Sequence, residues 1–132
     1  MKKTFYVAPV PASRPRVTRW STFYGKKYTQ FKADMKMALN DVQFTPFEGL
    51  IFADLKFFIK IPKSWSKKKK KSKQGKFCDN RADNDNYIKS ILDSMNGVYY
   101  LDDSQIVDIR SRIYWSETPR IEVELIELSD DC

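Results

Sequence analysis

Two acidic groups, Asp83-Asn84-Asp85-Asn86 and Asp102-Asp103, hold the side chains of this sequence best suited to chemistry. Carboxylates placed this closely repel one another unless a divalent cation or a proton lies between them. Lys89 follows Asp85 by one helical turn, and an ammonium there suits a phosphate whose charge grows during reaction. The chemistry this combination fits is metal-assisted attack on a phosphate ester.

Spacing limits how the carboxylates can meet. Two residues apart on a helix, side chains point about 200° away from each other. Asp83 and Asp85 can therefore share a ligand only if Asp83 lies outside the helix, at or before its N-cap, a position Asp favours. A helix over about 85–96 is roughly 16 to 18 Å long, and an extended 97–103 segment reaches roughly 23 Å. Asp103 can thus return to the helix start, so a three-carboxylate site is geometrically allowed. Other readings stay open: Asp83 as a simple cap, Asp102-Asp103-Ser104 as a turn before a strand, and Lys89 as a surface partner of Asp85 or Asp93. A calcium-binding EF-hand loop is excluded, because its sixth and twelfth positions would be Ile88 and Ser94 instead of Gly and Glu.

The elements that must position these groups are legible from periodicity. Thr4 to Ala8 reads as a short strand ended by Pro9 and Pro11, and the segment around Pro15 as an extended loop. Phe31, Met35, Ala38 and Leu39 mark one face of a helix over Thr29 to Asn40. Ile51, Ala53, Leu55, Phe57 and Ile59 alternate through a strand over 50–60. A basic loop is expected at about 62–76. Ile88, Ile91, Leu92 and Met95 mark a second helix, stopped by Asn96-Gly97. Two strands follow, at about 107–115 and 120–128, the second expected to pair antiparallel with the first across Ser116 to Pro119. The order β-α-β-α-β-β predicts a single α/β (α+β) domain over 1–132, a mixed sheet with two helices packed on one face.

Composition narrows the chemistry. The 132 residues are 42% hydrophobic, with nine Phe, seven Tyr and three Trp, enough for one folded core. There is no histidine, which removes Ser/His and Cys/His nucleophiles and His-containing zinc sites. A metal would be held by oxygen, favouring Mg2+ or Mn2+. Cys78 and Cys132 make no zinc motif and fit a reducing compartment. No apolar run approaches a membrane span or a signal peptide, so a cytoplasmic protein is expected. The net charge of +7 is unevenly spread: residues 63–76 carry eight lysines and no acid, whereas 77–132 carry thirteen acids against five bases. Basic surface around an acidic site suits a polyanionic substrate and a cation.

At these residues the chain resembles the RusA family of Holliday-junction resolvases, small homodimeric endonucleases common in phages and prophages. The likeness rests on Arg81-Ala82-Asp83-Asn84-Asp85-Asn86-Tyr87-Ile88-Lys89, Leu92-Asp93, Asn96-Gly97-Val98 and Asp102-Asp103-Ser104-Gln105-Ile106-Val107, with Arg14-Pro15-Arg16 similar to a Pro-Arg-Pro-Arg segment of many members. The resemblance implies that Asp83, Asp85 and Asp103 hold Mg2+ or Mn2+ and that Lys89 is catalytic. It implies in-line hydrolysis to 5′-phosphate and 3′-hydroxyl ends, and a two-fold dimer nicking opposed strands of a four-way junction during recombination and repair. Two departures stand out: Ala82, where many members have proline, and a lysine-rich segment longer than the family's usual one.

Lys67, Lys68, Lys69, Lys70, Lys71, Lys73 and Lys76 are candidate contacts to DNA phosphates, as are Arg14, Arg16 and Arg19. The alternative is a solvated basic loop that keeps the chain soluble. Trp65 and Trp20 lie beside these stretches; packing is the expected role of each, base stacking the alternative. Two further functional readings compete: a non-catalytic nucleic-acid-binding relative, and a branched-DNA nuclease preferring flaps or forks.

Overall fold

Apolar side chains at every second position from Ile51 to Phe57 favour a strand with one face in a core, and this strand is the centre of the molecule. The computed structural model describes residues 1–13, 16–17, 22–23, 25–80 and 83–128, the two short pairs by backbone alone. In chain order the elements are β1 (Lys2–Phe5), β2 (Arg16–Val17), β3 (Thr22–Phe23), α1 (Lys26–Leu39), β4 (Ile51–Lys60), α2 (Lys67–Lys73), α3 (Asn84–Met95), a 3-10 turn (Asp103–Gln105), β5 (Ile106–Ser116) and β6 (Arg120–Glu127). β2 and β3 pair with each other in a separate two-stranded sheet.

The main sheet has the order β1-β6-β4-β5, with β4 and β5 parallel and β6 antiparallel to both its neighbours. The mixed sheet is as expected, but β5 and β6 are not direct partners: β4 lies between them. The connection across 117–119 therefore spans two strand spacings, about 10 Å, within reach of three extended residues. β4 takes the inner place because Ile51, Ala53, Leu55 and Phe57 are all fully buried, a deeper apolar face than β5 offers.

α1 and α3 cover one face of the sheet, as expected. Tyr28, Phe31, Met35 and Leu39 of α1 and Tyr87, Ile91, Leu92 and Met95 of α3 pack on the β4 face and on Ile113, Ile121, Val123 and Leu125. Burying each large apolar side chain contributes roughly 1.5 to 3 kcal/mol. α1 begins three residues earlier than Thr29, so that Tyr28 joins the buried stripe. β1 begins earlier than residue 4, because Lys2 and Lys3 pair with Glu124 and Val123 of β6. The opposite sheet face is polar, with Arg112 bonded to Asp54 at 2.6 Å and Arg120 stacked 3.7 Å from the Phe58 ring centre.

The lysine-rich segment is not a loop throughout; residues 67–73 form α2. Lysines at i, i+4 disfavour a helix by a few tenths of a kcal/mol per pair. An N-cap and contacts with neighbouring side chains offset this. Ser66 accepts from the Lys69 N–H, the Lys69 ammonium lies 4.1 Å from the Trp65 ring centre, and Lys73 pairs with Asp79 at 2.8 Å. Trp65 packs edge-on against Trp115 at 5.0 Å, the packing role expected of it; Trp20 lies outside the described residues. Gly75 to Cys78 then runs along the outer edge of β5: the Gly75 N–H donates to Trp115 O, the Trp115 N–H to Lys76 O and the Cys78 N–H to Ile113 O. This segment covers only the second half of that edge.

Candidate active site

α3 begins where the sequence places it. Asp83 is the N-cap, outside the helix, its Oδ1 accepting from the Asn86 N–H at 3.3 Å and its Oδ2 from Asn86 Nδ2 at 2.7 Å. Asp85 lies in the first turn, and both carboxylates are exposed. Asn84 fixes this end of α3 to the middle of β5: the Ser111 hydroxyl donates to Asn84 Oδ1 at 2.6 Å. The Ala12 N–H donates to Asn86 O, so the N-terminal segment lies against the same turn.

Lys89 is half-buried on the flank of α3 that faces α1. With Lys32, Lys36 and Asp93 it lines a groove between the helices of about 910 Å³. Among the described residues the ion pairs involve none of Asp83, Asp85, Lys89 or Asp103, so the surface pairing of Lys89 with Asp85 or Asp93 is not made. Lys32 and Lys36 were not singled out from the sequence, although their i, i+4 spacing beside Phe31 and Met35 places them on one flank of α1.

Asp103 lies at the other end of α3. Its carboxyl is pushed above the ordinary range by the hydrogen bond it shares with Asp102, reduced hydration, and the charges of Asp102 and Asp93. Asp102 is held below that range, first by the Ser104 hydroxyl and then by Asp103. Asp93, in the last turn of α3, and the buried Tyr100, which follows the helix, lie beside this pair, and the Tyr100 hydroxyl donates to Leu92 O. A twelve-residue helix is about 18 Å long, so Asp103 does not return to Asp83 and Asp85 within one chain. Residues 96–100 do not run extended; they turn tightly at the helix end. Gly97 takes φ 82°, the Val98 and Tyr99 N–H groups both donate to Met95 O, and Gly97 donates to Tyr100 O. The return along α3 is made by β5 instead. Among the described residues no three acidic or sulfur side chains lie close enough to hold a metal ion.

Gln105 holds the acidic turn in place. Its Nε2 donates to the carbonyls of Phe47 (2.7 Å) and Gly49 (2.9 Å), and its Oε1 accepts from the Leu101 and Asp102 N–H groups at 2.8 and 2.9 Å. The only sequence signal for this role is the place of Gln105 in the motif Asp102-Asp103-Ser104-Gln105.

Of the candidate DNA contacts, Lys67, Lys68, Lys69, Lys71 and Lys76 are exposed, Lys70 is half-buried, and Lys73 is engaged by Asp79. Arg14 and Arg19 lie outside the described residues, and Arg16 is described by backbone only. Cys78 is a free thiol, while Cys132 lies outside the described residues. Among the described residues no helix is long and apolar enough to cross a membrane.

The exposed Asp-x-Asp thus opens α3, with Lys89 one turn on in a groove that Lys32 and Lys36 also line. The profile of the family described as Endodeoxyribonuclease RusA matches residues 7–126, and this chain belongs to that family of DNA endonucleases. It is also 36% identical to YqaN of Bacillus subtilis (strain 168), described as an uncharacterized protein, over 98% of this chain and 97% of that one.

Proposed function

We propose that this protein is a structure-selective endonuclease that resolves four-way DNA junctions by paired nicks, acting as a homodimer in recombination and repair in the cytoplasm of a bacterial or phage-infected cell. The observation that carries this reading is the exposed Asp83-Asn84-Asp85 start of α3, one turn from Lys89 and its basic groove, in a chain matched by the family profile over 7–126. Lys89, Lys32 and Lys36 would draw a phosphate backbone along the groove, and Lys89 would offset charge on the phosphate being cut. The exposed lysines of α2 would add sequence-independent affinity for the arms.

The proposed cofactor is Mg2+, with Mn2+ as substitute, held by Asp83, Asp85 and Asp103. Within one chain these three carboxylates do not fit one ion, because α3 separates Asp103 from the other two. No step is therefore assigned through a metal in an isolated chain. That separation also favours the second reading, a non-catalytic DNA-binding relative.

The test is cleavage of a synthetic four-way junction with Mg2+, beside flap, fork and linear duplexes, with Asp85→Asn as control. Junction cutting lost in Asp85→Asn supports the proposal. Binding without cutting by the wild type would establish the second reading. Preferential cutting of flaps or forks would make this a different branched-DNA nuclease, and equal cutting of linear duplex would end structure selectivity.

A further inference from the structure

We infer that Phe77 is a base-stacking residue: its open ring face, at the end of an aromatic row on the sheet face opposite the helices, takes an unpaired base of the DNA. The inference deepens the proposed function and rests on it for the branched nature of that DNA.

The sheet register builds the row. Phe77 forms an antiparallel bridge with Tyr114 of β5, Tyr114 faces Phe58 of β4, and Phe58 faces Arg120 of β6. Side chains in such a row share one face at a spacing of about 4.8 Å. The rings stand nearly parallel. Phe77 and Tyr114 lie 5.2 Å apart between centroids and 13° from parallel, Tyr114 and Phe58 5.4 Å and 25°. The Arg120 guanidinium closes the inner end, 3.7 Å from the Phe58 ring centre. Phe77 is the outer end. It is 67% exposed, and among the described residues Tyr114 is its only ring neighbour.

A ring stacked on one side and bare on the other is a platform for a further flat π system, which extends the row in the same offset geometry. An aliphatic surface has no plane to match it, so the row favours a base over an apolar protein face. Charge agrees with this choice. Lys76 adjoins the ring in sequence and is exposed, and Arg110 stands on the same face of β5 as Tyr114, exposed and without an ion pair among the described residues. Cations beside an aromatic end suit the phosphates that adjoin a stacked nucleotide.

Position links the ring to the aspartates. Phe77 lies opposite Tyr114, while Asn84, between Asp83 and Asp85, is bonded to Ser111 of the same strand. Three strand residues, about 10 Å, separate these two points. The ring stands on the sheet face away from α3, so DNA held at Asp83 and Asp85 meets it by passing over the edge of β5. Only a base freed from its own stack has a face to offer there. Phe77 therefore favours DNA with unpaired bases beside the cleavage point over linear duplex.

The experiment compares two labelled single strands by fluorescence anisotropy, a short oligothymidylate and an abasic strand with the same number of phosphates. The wild type should bind the oligothymidylate more tightly. Phe77→Ala should weaken that binding roughly fivefold or more and leave the abasic strand unchanged, which also shows that the variant is folded. Phe77→Trp should retain the preference, whereas Phe77→Leu, which fills the volume without a flat face, should behave as alanine does. Equal binding of both strands by the wild type, equal loss on both in Phe77→Ala, or full binding by Phe77→Leu would overturn the stacking role. A changed sedimentation mass in Phe77→Ala with base-dependent binding intact would mean that the ring faces another protein chain, and would overturn it too. Junction nicking by the same proteins separates the two proposals. Base-dependent loss in Phe77→Ala without nicking by the wild type would sink the nuclease proposal and leave the stacking site standing; nicking without base-dependent loss would overturn the stacking site alone.

Discussion

Gln105 is the residue whose removal most directly tests whether the acidic turn is held by its surroundings. In Gln105→Ala four hydrogen bonds disappear: two to the half-buried carbonyls of Phe47 and Gly49, and two from the exposed N–H groups of Leu101 and Asp102. At about 1 kcal/mol for each bond to a half-buried carbonyl and about half that for each exposed one, the loss is about 3 kcal/mol. That is a large part of the roughly 5 to 15 kcal/mol that holds a domain together. It corresponds to a Tm lowered by roughly 10 °C for a chain of this length. Urea unfolding gives the energy. Far-UV circular dichroism at 20 °C confirms that the variant remains folded, and junction nicking reports whether Asp103 is still aimed. Gln105→Glu keeps the two acceptors but loses both donors and adds a charge beside Asp102 and Asp103, so it should be no better than alanine. A loss under about 0.5 kcal/mol in Gln105→Ala, with nicking unchanged, would show that water replaces the side chain and refute the reasoning.

Three further outcomes are expected. The Asp79 carboxyl is lowered to about 2, first by its hydrogen bond from Lys73 and then by that from Trp115; its stabilising share is complete above about pH 4 and is lost as pH falls toward 2. Tryptophan fluorescence of Trp115 should change over that window, and Asp79→Asn should remove the change; an identical acid titration in both would contradict it. Replacing Lys67, Lys68 and Lys71 by alanine should flatten the salt dependence of DNA binding by up to about 0.9 in log–log slope for each phosphate no longer neutralised, and an unchanged slope would place α2 away from DNA. Asn84→Ala and Ser111→Ala should each destabilise by about 0.5 to 1 kcal/mol and show coupling in the double variant; strict additivity would mean their hydrogen bond does not hold α3 to β5.

α3 is legible in the sequence because its signals are local: an Asp cap, apolar residues at 3.6-residue spacing and Asn96-Gly97 at its end all lie within one stretch of chain. The same holds for β4 and for the two-helix layer. α2 is not legible, because its five adjacent lysines carry no apolar stripe and repel one another at i, i+4, whereas the Ser66 cap and the contacts of Trp65 and Asp79 with Lys69, Lys73 and Trp115 hold it. The short connection between β5 and β6 suggests antiparallel pairing, but a short loop also spans an intervening strand, and only the burial demand of β4 decides between the two.

By itself the sequence determined the family, the histidine-free oxygen chemistry, the two acidic groups and the lysine one turn from Asp85. Those are matters of residue type and near spacing. The tertiary structure alone decided where the acidic groups stand. Chain length permitted Asp103 to reach Asp83 and Asp85, but permitted distance is only an upper bound. The turn at Gly97, the Tyr100 anchor and the Gln105 bonds determine the path taken, and they leave Asp103 at the far end of α3, beside the open edge of β5.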